Sequence, residues 1–450
     1  MISAFLGATI ISGICMVINY PGSKVIALTF AIISIYVFFD SFRRDTLLIE
    51  KFISIFLFLG FFFKFSALVL IKKFPFNETL QSIDHALILS TAGLIVVYST
   101  KKIRQFFYSV NHNKINLKKL TYLYNFYIKN RIFLIVSYLL IIFLVPLLNF
   151  YLGIYQRGMN PATILPFKLN SIFEWLLLFG LSSISSFILY FEIIRNKNNN
   201  IYIFFAAVLQ NFNSSISMLS RGMIFNTLAL VVGIEAIMMK ITASSKEIFI
   251  GLLCITILYG VSIKIVEDKR LVSFSVSQND VAEDKKSEYL ANYASIIYNR
   301  WVGIEEVLIV EKGEKFSFIK SITERASTTQ KSNFDTHFLN PNLYSDINTE
   351  KNHYISTPGL FAFAYYSKSI VIFILIIFSA VGIFTFLEIF VTKTGVNNVL
   401  FTSLIGEVLA FRLVHFGYAP LDTYKLVIAV IFNTYIFILL NNLLKKNKSP

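Results

Sequence analysis

The sequence predicts an all-α polytopic membrane protein, with about twelve transmembrane helices and one long, partly helical periplasmic loop. Three observations predict it. Hydrophobic residues make up 56% of the 450 and charged residues only 15%, with a mean hydropathy of +0.66, which is more apolar surface than one soluble core can bury. Apolar runs of about 15 to 20 residues, enough helix to cross about 30 Å of hydrocarbon, recur along the chain. One interval breaks the pattern: Glu267 to Lys368 holds 14 of the 26 Asp and Glu but only 12 of the 41 Lys and Arg.

In order, the apolar runs are Ile2 to Asn19, Val25 to Phe39, Phe52 to Ile71, Ala86 to Ser99, Ile132 to Leu152, Ile172 to Ile194, Ile201 to Leu219, Met223 to Met239 and Ile248 to Val266. After the long loop come Ile370 to Val391, Val399 to Phe416 and Leu426 to Leu443. The chain therefore divides into a membrane part over 1–266, a loop or cap over 267–368, and a second membrane part over 369–450. The first run lacks a basic leader and a small-residue cleavage site before Pro21, so it reads as a retained span. Cys15 and Cys254 both lie inside apolar runs, which supports neither a disulfide framework nor a cysteine metal site.

Outside the loop, 29 Lys and Arg stand against 12 acids. In a soluble protein a net charge of +15 would suggest nucleic acid, but these cations sit in short segments between apolar runs. There they set topology and meet anionic lipid head groups in the bilayer, and no nucleic-acid partner is expected. Thr100 to Arg131 carries eight Lys and Arg and no acid, so the positive-inside bias makes it cytoplasmic. Counting outward puts Arg43, Arg44, Lys51, Arg195, Lys197, Lys240, Lys246 and the tail Lys445, Lys446, Lys448 on the same side. The expected arrangement is multi-pass in a bacterial inner membrane, with both termini cytoplasmic and the long loop outside.

Within that loop, Asp280 could cap a helix whose Tyr289, Leu290, Tyr293, Ile296, Ile297 and Trp301 share one face. A short helix over Ile304 to Glu311 ending at Gly313 follows, then one from Lys315 toward Arg325. From Thr328 to Pro358 the pattern dissolves into a cap over the membrane face.

Candidate functional residues are mostly Arg and His near the outer ends of spans. Ser220-Arg221-Gly222 joins the seventh and eighth runs. An Arg at a helix end can simply snorkel to head groups. Here Gly222 would also let a phosphate approach the backbone, and the following helix offers unpaired N–H groups beside Arg221. Arg300 follows the amphipathic loop helix and can pair with Glu305 or Glu306, while Arg325 sits in a more ordinary helical setting. Arg412 and His415 lie three residues apart, on one helix face at the end of the eleventh run, where polar side chains line cavities. His337 and His353 fall in the irregular part of the loop. The chain holds no Asp-x-Asp, His-Glu-x-x-His, Walker loop, dinucleotide glycine fingerprint or Gly-x-Ser-x-Gly. Metal, nucleotide and covalent serine chemistry are therefore not expected, and no cofactor is.

This layout, with Ser220-Arg221-Gly222, Asn299-Arg300-Trp301-Val302-Gly303 and Ser356-Thr357-Pro358-Gly359 leading into Tyr365-Tyr366-Ser367, resembles the Wzy-type O-antigen polymerases. These are similar to the O-antigen ligases and, in their membrane core, to GT-C glycosyltransferases. The resemblance implies a metal-independent, inverting transferase of lipopolysaccharide or other polysaccharide biosynthesis. It would move a growing glycan from undecaprenyl diphosphate to the next lipid-linked oligosaccharide repeat unit at the periplasmic face, where the resemblance leaves room for a chain-length regulator as partner. Arg221 and Arg300, then Arg412 and Arg325, would bind the diphosphate in place of Mg²⁺. His337 or His353, with Glu305 as a carboxylate alternative, would serve as general base, and His415 and Gly222 would line the acceptor cavity. A glycan flippase or other transporter shares the twelve-span layout, but would more often show two similar halves and short external loops. An O-antigen ligase would share the same Arg and His logic.

Overall fold

The computed structural model describes residues 2–43, 45–72, 80–109, 120–157, 159, 161–195, 201–238, 257–266, 268–269, 301–315, 317, 358–394, 398–416 and 423–446. Among the described residues the chain is helical and forms no strand. The helices are α1 (Ile2–Asn19), α2 (Lys24–Asp40), α3 (Leu48–Leu70), α4 (Leu80–Phe107), α5 (Thr121–Lys129), α6 (Arg131–Leu152), α7 (Pro166–Arg195), α8 (Ile201–Ser217), α9 (Ile224–Met238) and α10 (Ile257–Val266). They continue with α11 (Ile304–Lys312), α12 (Gly359–Ala364), α13 (Ile370–Thr394), α14 (Val399–Val414) and α15 (Thr423–Lys446).

Each apolar run of the sequence falls on a helix over its described residues, though α4 extends well beyond its run Ala86 to Ser99 at both ends and α7 begins before Ile172. Six of these helices, α3, α4, α6, α7, α13 and α15, are long and apolar enough to cross a membrane. The molecule is thus an α-helical membrane protein. Two of the long helices are interrupted: α3 carries a π-helical turn at Phe58–Phe63 and α7 one at Leu176–Gly180.

Helix α14 is the central post. It packs against α3, α7, α9 and α13, and Phe401, Leu404, Ile405, Leu409 and Leu413 along it are fully buried. Helices α6, α13 and α15 line the outside, with apolar side chains such as Leu140, Ile374 and Phe432 exposed on their outer faces, as lipid contact requires. At α14 the backbones come close enough that a Cβ on Gly406 would stand 2.9 Å from the Ile49 nitrogen.

Helix α3 therefore starts inside the bundle, where its first N–H groups have no water to bond. Side chains supply the acceptors. Glu388 of α13 accepts from Leu48 N–H at 3.0 Å and from Ile49 N–H at 2.6 Å. Glu50 reaches back to Leu47 N–H at 2.9 Å. In the same way Asn398 caps α14 by accepting from Leu400 and Phe401 N–H at 3.0 and 3.2 Å.

At the end of the bundle where α2 stops and α3 begins, the cations of the sequence are built into the helices. The expected basic loop over Thr100 to Arg131 is corrected in part, because Thr100 to Phe107 continues α4 and Arg131 opens α6. Lys101 and Arg104 are buried there. They are bound to carboxylates that local hydropathy cannot foresee: Lys101 Nζ lies 2.7 Å from Asp40 Oδ2, and Arg104 Nε donates to Glu50 Oε1 at 2.9 Å. Likewise Glu192 accepts from Arg131 Nε at 2.6 Å and from Tyr127 O–H at 2.8 Å.

The opposite end carries Asp84, which accepts from Tyr20 O–H at 2.7 Å and from Ser23 N–H at 3.2 Å. The cap expected over Thr328 to Pro358 lies outside the described residues, Pro358 itself excepted. Helix α11 forms where the sequence places it and stops at Gly313, but Val302, Ile304, Val307, Leu308 and Val310 are buried among the membrane helices. Helix α12 is equally buried, with Phe361 against Phe61 at 4.8 Å between ring centroids. Apolar stretches this short are lost in the average over a polar segment of about 100 residues. The predicted helix from Asp280 and the one from Lys315 lie outside the described residues.

Replacing Glu388 with Leu leaves two buried N–H groups of α3 unpaired, at about 1–3 kcal/mol each. The purified protein in detergent is expected to unfold at a clearly lower temperature, with Glu388→Gln, which keeps one acceptor oxygen, in between. Equal unfolding midpoints for all three would refute this role of Glu388.

Candidate functional site: an arginine cluster beside a buried histidine

The site is assembled at the loop end of the bundle from segments far apart in sequence. Its first part is the turn between α8 and α9. Leu219 takes a left-handed conformation (φ +50), and the turn folds back so that Ser220 N–H donates to the Ser215 carbonyl at 2.9 Å. Ser215 Oγ–H donates to the Ser220 carbonyl at 2.7 Å. Ser220 then caps the helical turn Arg221–Met223 by accepting Gly222 N–H at 3.4 Å.

The second part is the connection after α6, which is stapled onto that turn. Asn149 Nδ2 donates to the Ser217 carbonyl at 3.0 Å, and Asn149 Oδ1 accepts Tyr155 N–H at 2.8 Å. Arg157 N–H donates to the Met218 carbonyl at 2.9 Å. These bonds bring the Arg157 guanidinium over the turn, where Nη1 lies 3.4 Å from Ser220 Oγ. A Cβ on Gly222 would stand 3.2 Å from the same nitrogen, so the glycine leaves Arg157 its place.

The third part is the end of α14. Arg412 Nε donates to Thr423 Oγ1 at 3.3 Å. His415, one residue beyond the helix, is buried and stacks on Phe411 with ring centroids 4.2 Å apart. Its Nδ1 lies 2.9 Å from the Phe411 carbonyl oxygen. An oxygen acceptor there requires Nδ1 to carry the hydrogen, which leaves Nε2 with the lone pair. The positive charges of Arg157 and Arg412 both bear on the ring.

Trp301 of the long loop is the fourth part. Its ring packs against Phe56 of α3 and Phe225 of α9, with centroids 6.1 and 5.5 Å apart. Phe56 and Phe225 in turn meet Phe411 at 5.6 and 5.4 Å. One aromatic cluster thus joins the loop to the helix that carries Arg412 and His415.

No family model, curated protein or solved structure matches the chain. The chemistry of this site therefore rests on its own geometry.

Of the residues singled out from the sequence, the structure brings Gly222, Arg412 and His415 to the same end of the bundle. It places the backbone of Arg221 at the start of the turn. Glu305 is paired: its carboxylate lies 3.0 Å from Lys64 Nζ, with both side chains largely buried. Arg300, Arg325, His337 and His353 lie outside the described residues.

The residue that sequence reasoning passed over is Arg157. Its signal was faint: with Lys168, it is one of two basic residues in the connection between the fifth and sixth apolar runs. Among the described residues no group of three or more His, Cys, Asp or Glu could hold a metal ion. A narrow cleft lined by Glu50, Ser54, Tyr98 and Lys101 lies at the other end of α3, and its charged groups are paired.

Proposed function

We propose that the protein is a membrane glycosyltransferase that acts on a lipid-linked glycan diphosphate, in the manner of the Wzy-type polymerases its sequence resembles. The observation that carries this reading is the meeting of Arg157, Arg412, the Ser220–Gly222 turn and His415 at one end of an apolar bundle. Loop-borne Trp301 is packed into the aromatic cluster beneath them.

The chemistry follows from the charges. In the transfer, an acceptor hydroxyl attacks the anomeric carbon of the donor sugar as the bond from that carbon to the diphosphate oxygen breaks. The electron pair leaves with the diphosphate, and attack from the opposite face inverts the centre. Negative charge grows on the leaving group, and fixed guanidinium groups beside backbone N–H groups stabilise it where other enzymes use a divalent metal. Arg157 and Arg412 take this role together with Arg221, whose backbone opens the turn, and Arg300, Arg325 and Gly222 complete the expected diphosphate pocket. The acceptor proton passes to a base, for which His337 and His353 remain the loop candidates and His415 adds a buried Nε2 lone pair.

On this reading the chain is multi-pass in a bacterial inner membrane, with both termini cytoplasmic. The Arg cluster and the long loop face the periplasm, where undecaprenyl-diphosphate-linked repeat units are delivered. The charge distribution of the sequence supports the orientation. The confinement of the Arg and His cluster to one end of the bundle supports a surface-facing transfer site over a transport path through its middle.

Deleting the gene and running the surface glycan on a gel tests the reading. Single repeat units on lipid core are expected. Total loss of surface glycan would point to a flippase instead, and long chains stranded on the carrier lipid to a ligase. In purified protein with a lipid-linked repeat unit, Arg157→Ala, Arg221→Ala and Arg412→Ala should each lower chain extension by roughly 10²–10³-fold while the protein still accumulates in the membrane. Normal chain length in all three variants would overturn the diphosphate site.

A further inference from the structure

We propose that Lys64 is a positioning residue, an anchor within α3 that seats the Trp301–Lys312 segment of the long loop inside the helical bundle. Lys64 is the lone charge in an otherwise apolar run, and its side chain is 4% exposed. An ammonium group so placed is costly unless it is paired. Everything it is seen to bind comes from the loop. Nζ donates to the Trp301 carbonyl at 2.8 Å and lies 3.0 Å from Glu305 Oε1. Neighbouring Glu306 turns back to accept Gly303 N–H at 2.7 Å, which closes the start of α11 around the lysine.

The backbone is shaped for the same contact. The π-helical turn Phe58–Phe63 ends immediately before Lys64, and its wider turn re-aims the residue that follows. Gly60 lies within that turn. A Cβ there would stand 1.9 Å from the Val302 carbonyl oxygen, and one on Gly303 would stand 2.7 Å from the Gly60 carbonyl oxygen. Two glycines thus allow the strands of backbone to touch, and neither tolerates a side chain. Gly359, at a φ of +79, brings the start of α12 against the far side of Val302. The segment leaves the bundle where Lys368 donates to the Val310 and Glu311 carbonyls.

Lys64 therefore acts through Trp301: by fixing its carbonyl, it sets where the indole enters between Phe56 and Phe225. The seat is a property of the fold and holds whatever the protein transfers. Its contribution to catalysis rests on the transferase reading given above.

Thiol accessibility tests the seat without any assay of activity. In a background carrying Cys15→Ser and Cys254→Ser, a single reporter is made by Ile304→Cys, at a position 1% exposed. The reporter is treated in membranes with a membrane-impermeant maleimide. It is expected to label slowly with Lys64 in place, and roughly a hundredfold faster in Lys64→Met, because breaking a buried ion pair opens the segment. Lys64→Arg, which keeps a charged donor for the Trp301 carbonyl and Glu305, should retain most of the protection. Gly60→Ala, which leaves every charge in place, should expose the thiol as well.

Equal protection in Lys64→Met and its parent would overturn the proposal. Should Lys64→Met fail to accumulate, Glu305→Gln, which removes the counter-charge alone, decides: a faster-labelled thiol supports the seat and an unchanged one removes it. If the seat stands while Lys64→Met extends glycan normally, the transferase reading loses Trp301 but the seat does not.

Discussion

A lysine in the middle of an apolar helix dictates much of this architecture. The ammonium of Lys64 cannot reach water along its own helix, so a counter-charge must come to it. That counter-charge is Glu305, carried by a segment too polar on average to be read as membrane-embedded. Its arrival draws in Val302, Ile304, Val307 and Leu308, which pack as core and repay part of the desolvation cost. Loop and bundle are thereby one packed unit at this point, although some 240 residues of chain separate the partners.

The same constraint operates at the helix ends. In a medium without water each unsatisfied N–H is expensive, so a helix can begin inside the bundle only where an acceptor is waiting. Glu388 and Glu50 perform this for α3, Asn398 for α14 and Ser220 for the turn before α9. The central post α14 is capped at one end by its own Asn398 and ends at His415.

The apolar runs were legible because hydrophobicity over a helical length is a property of local sequence. The short helix at Ile304 was legible for the same reason, with its acidic first turn and Gly313 stop. Which helix ends are buried was not, because that is decided by partners. Lys101 and Arg104 look like loop cations until Asp40 and Glu50 arrive from another helix. Of the site, Arg412 and His415 could be paired from their spacing on one helix. Arg157 could not, since its position depends on Asn149 gripping both Tyr155 and Ser217. The rest of the loop's candidates, Arg300, Arg325, His337 and His353, belong to residues whose arrangement is not described.

The charges of the cluster are aligned by groups that bear none. Nδ1 of His415 is tied to the Phe411 carbonyl at 2.9 Å, and the Phe411 ring is held in turn by Phe56 and Phe225. Buried Asn149 grips the Ser217 carbonyl and Tyr155 N–H, and so fixes the connection that carries Arg157 to the Ser220–Gly222 turn. In an apolar bundle such uncharged staples can be buried at little cost, because each polar atom has its partner, whereas a guanidinium in the same place would need a counter-charge. That division of labour puts the aligning groups inside the bundle and leaves the guanidinium groups at its end.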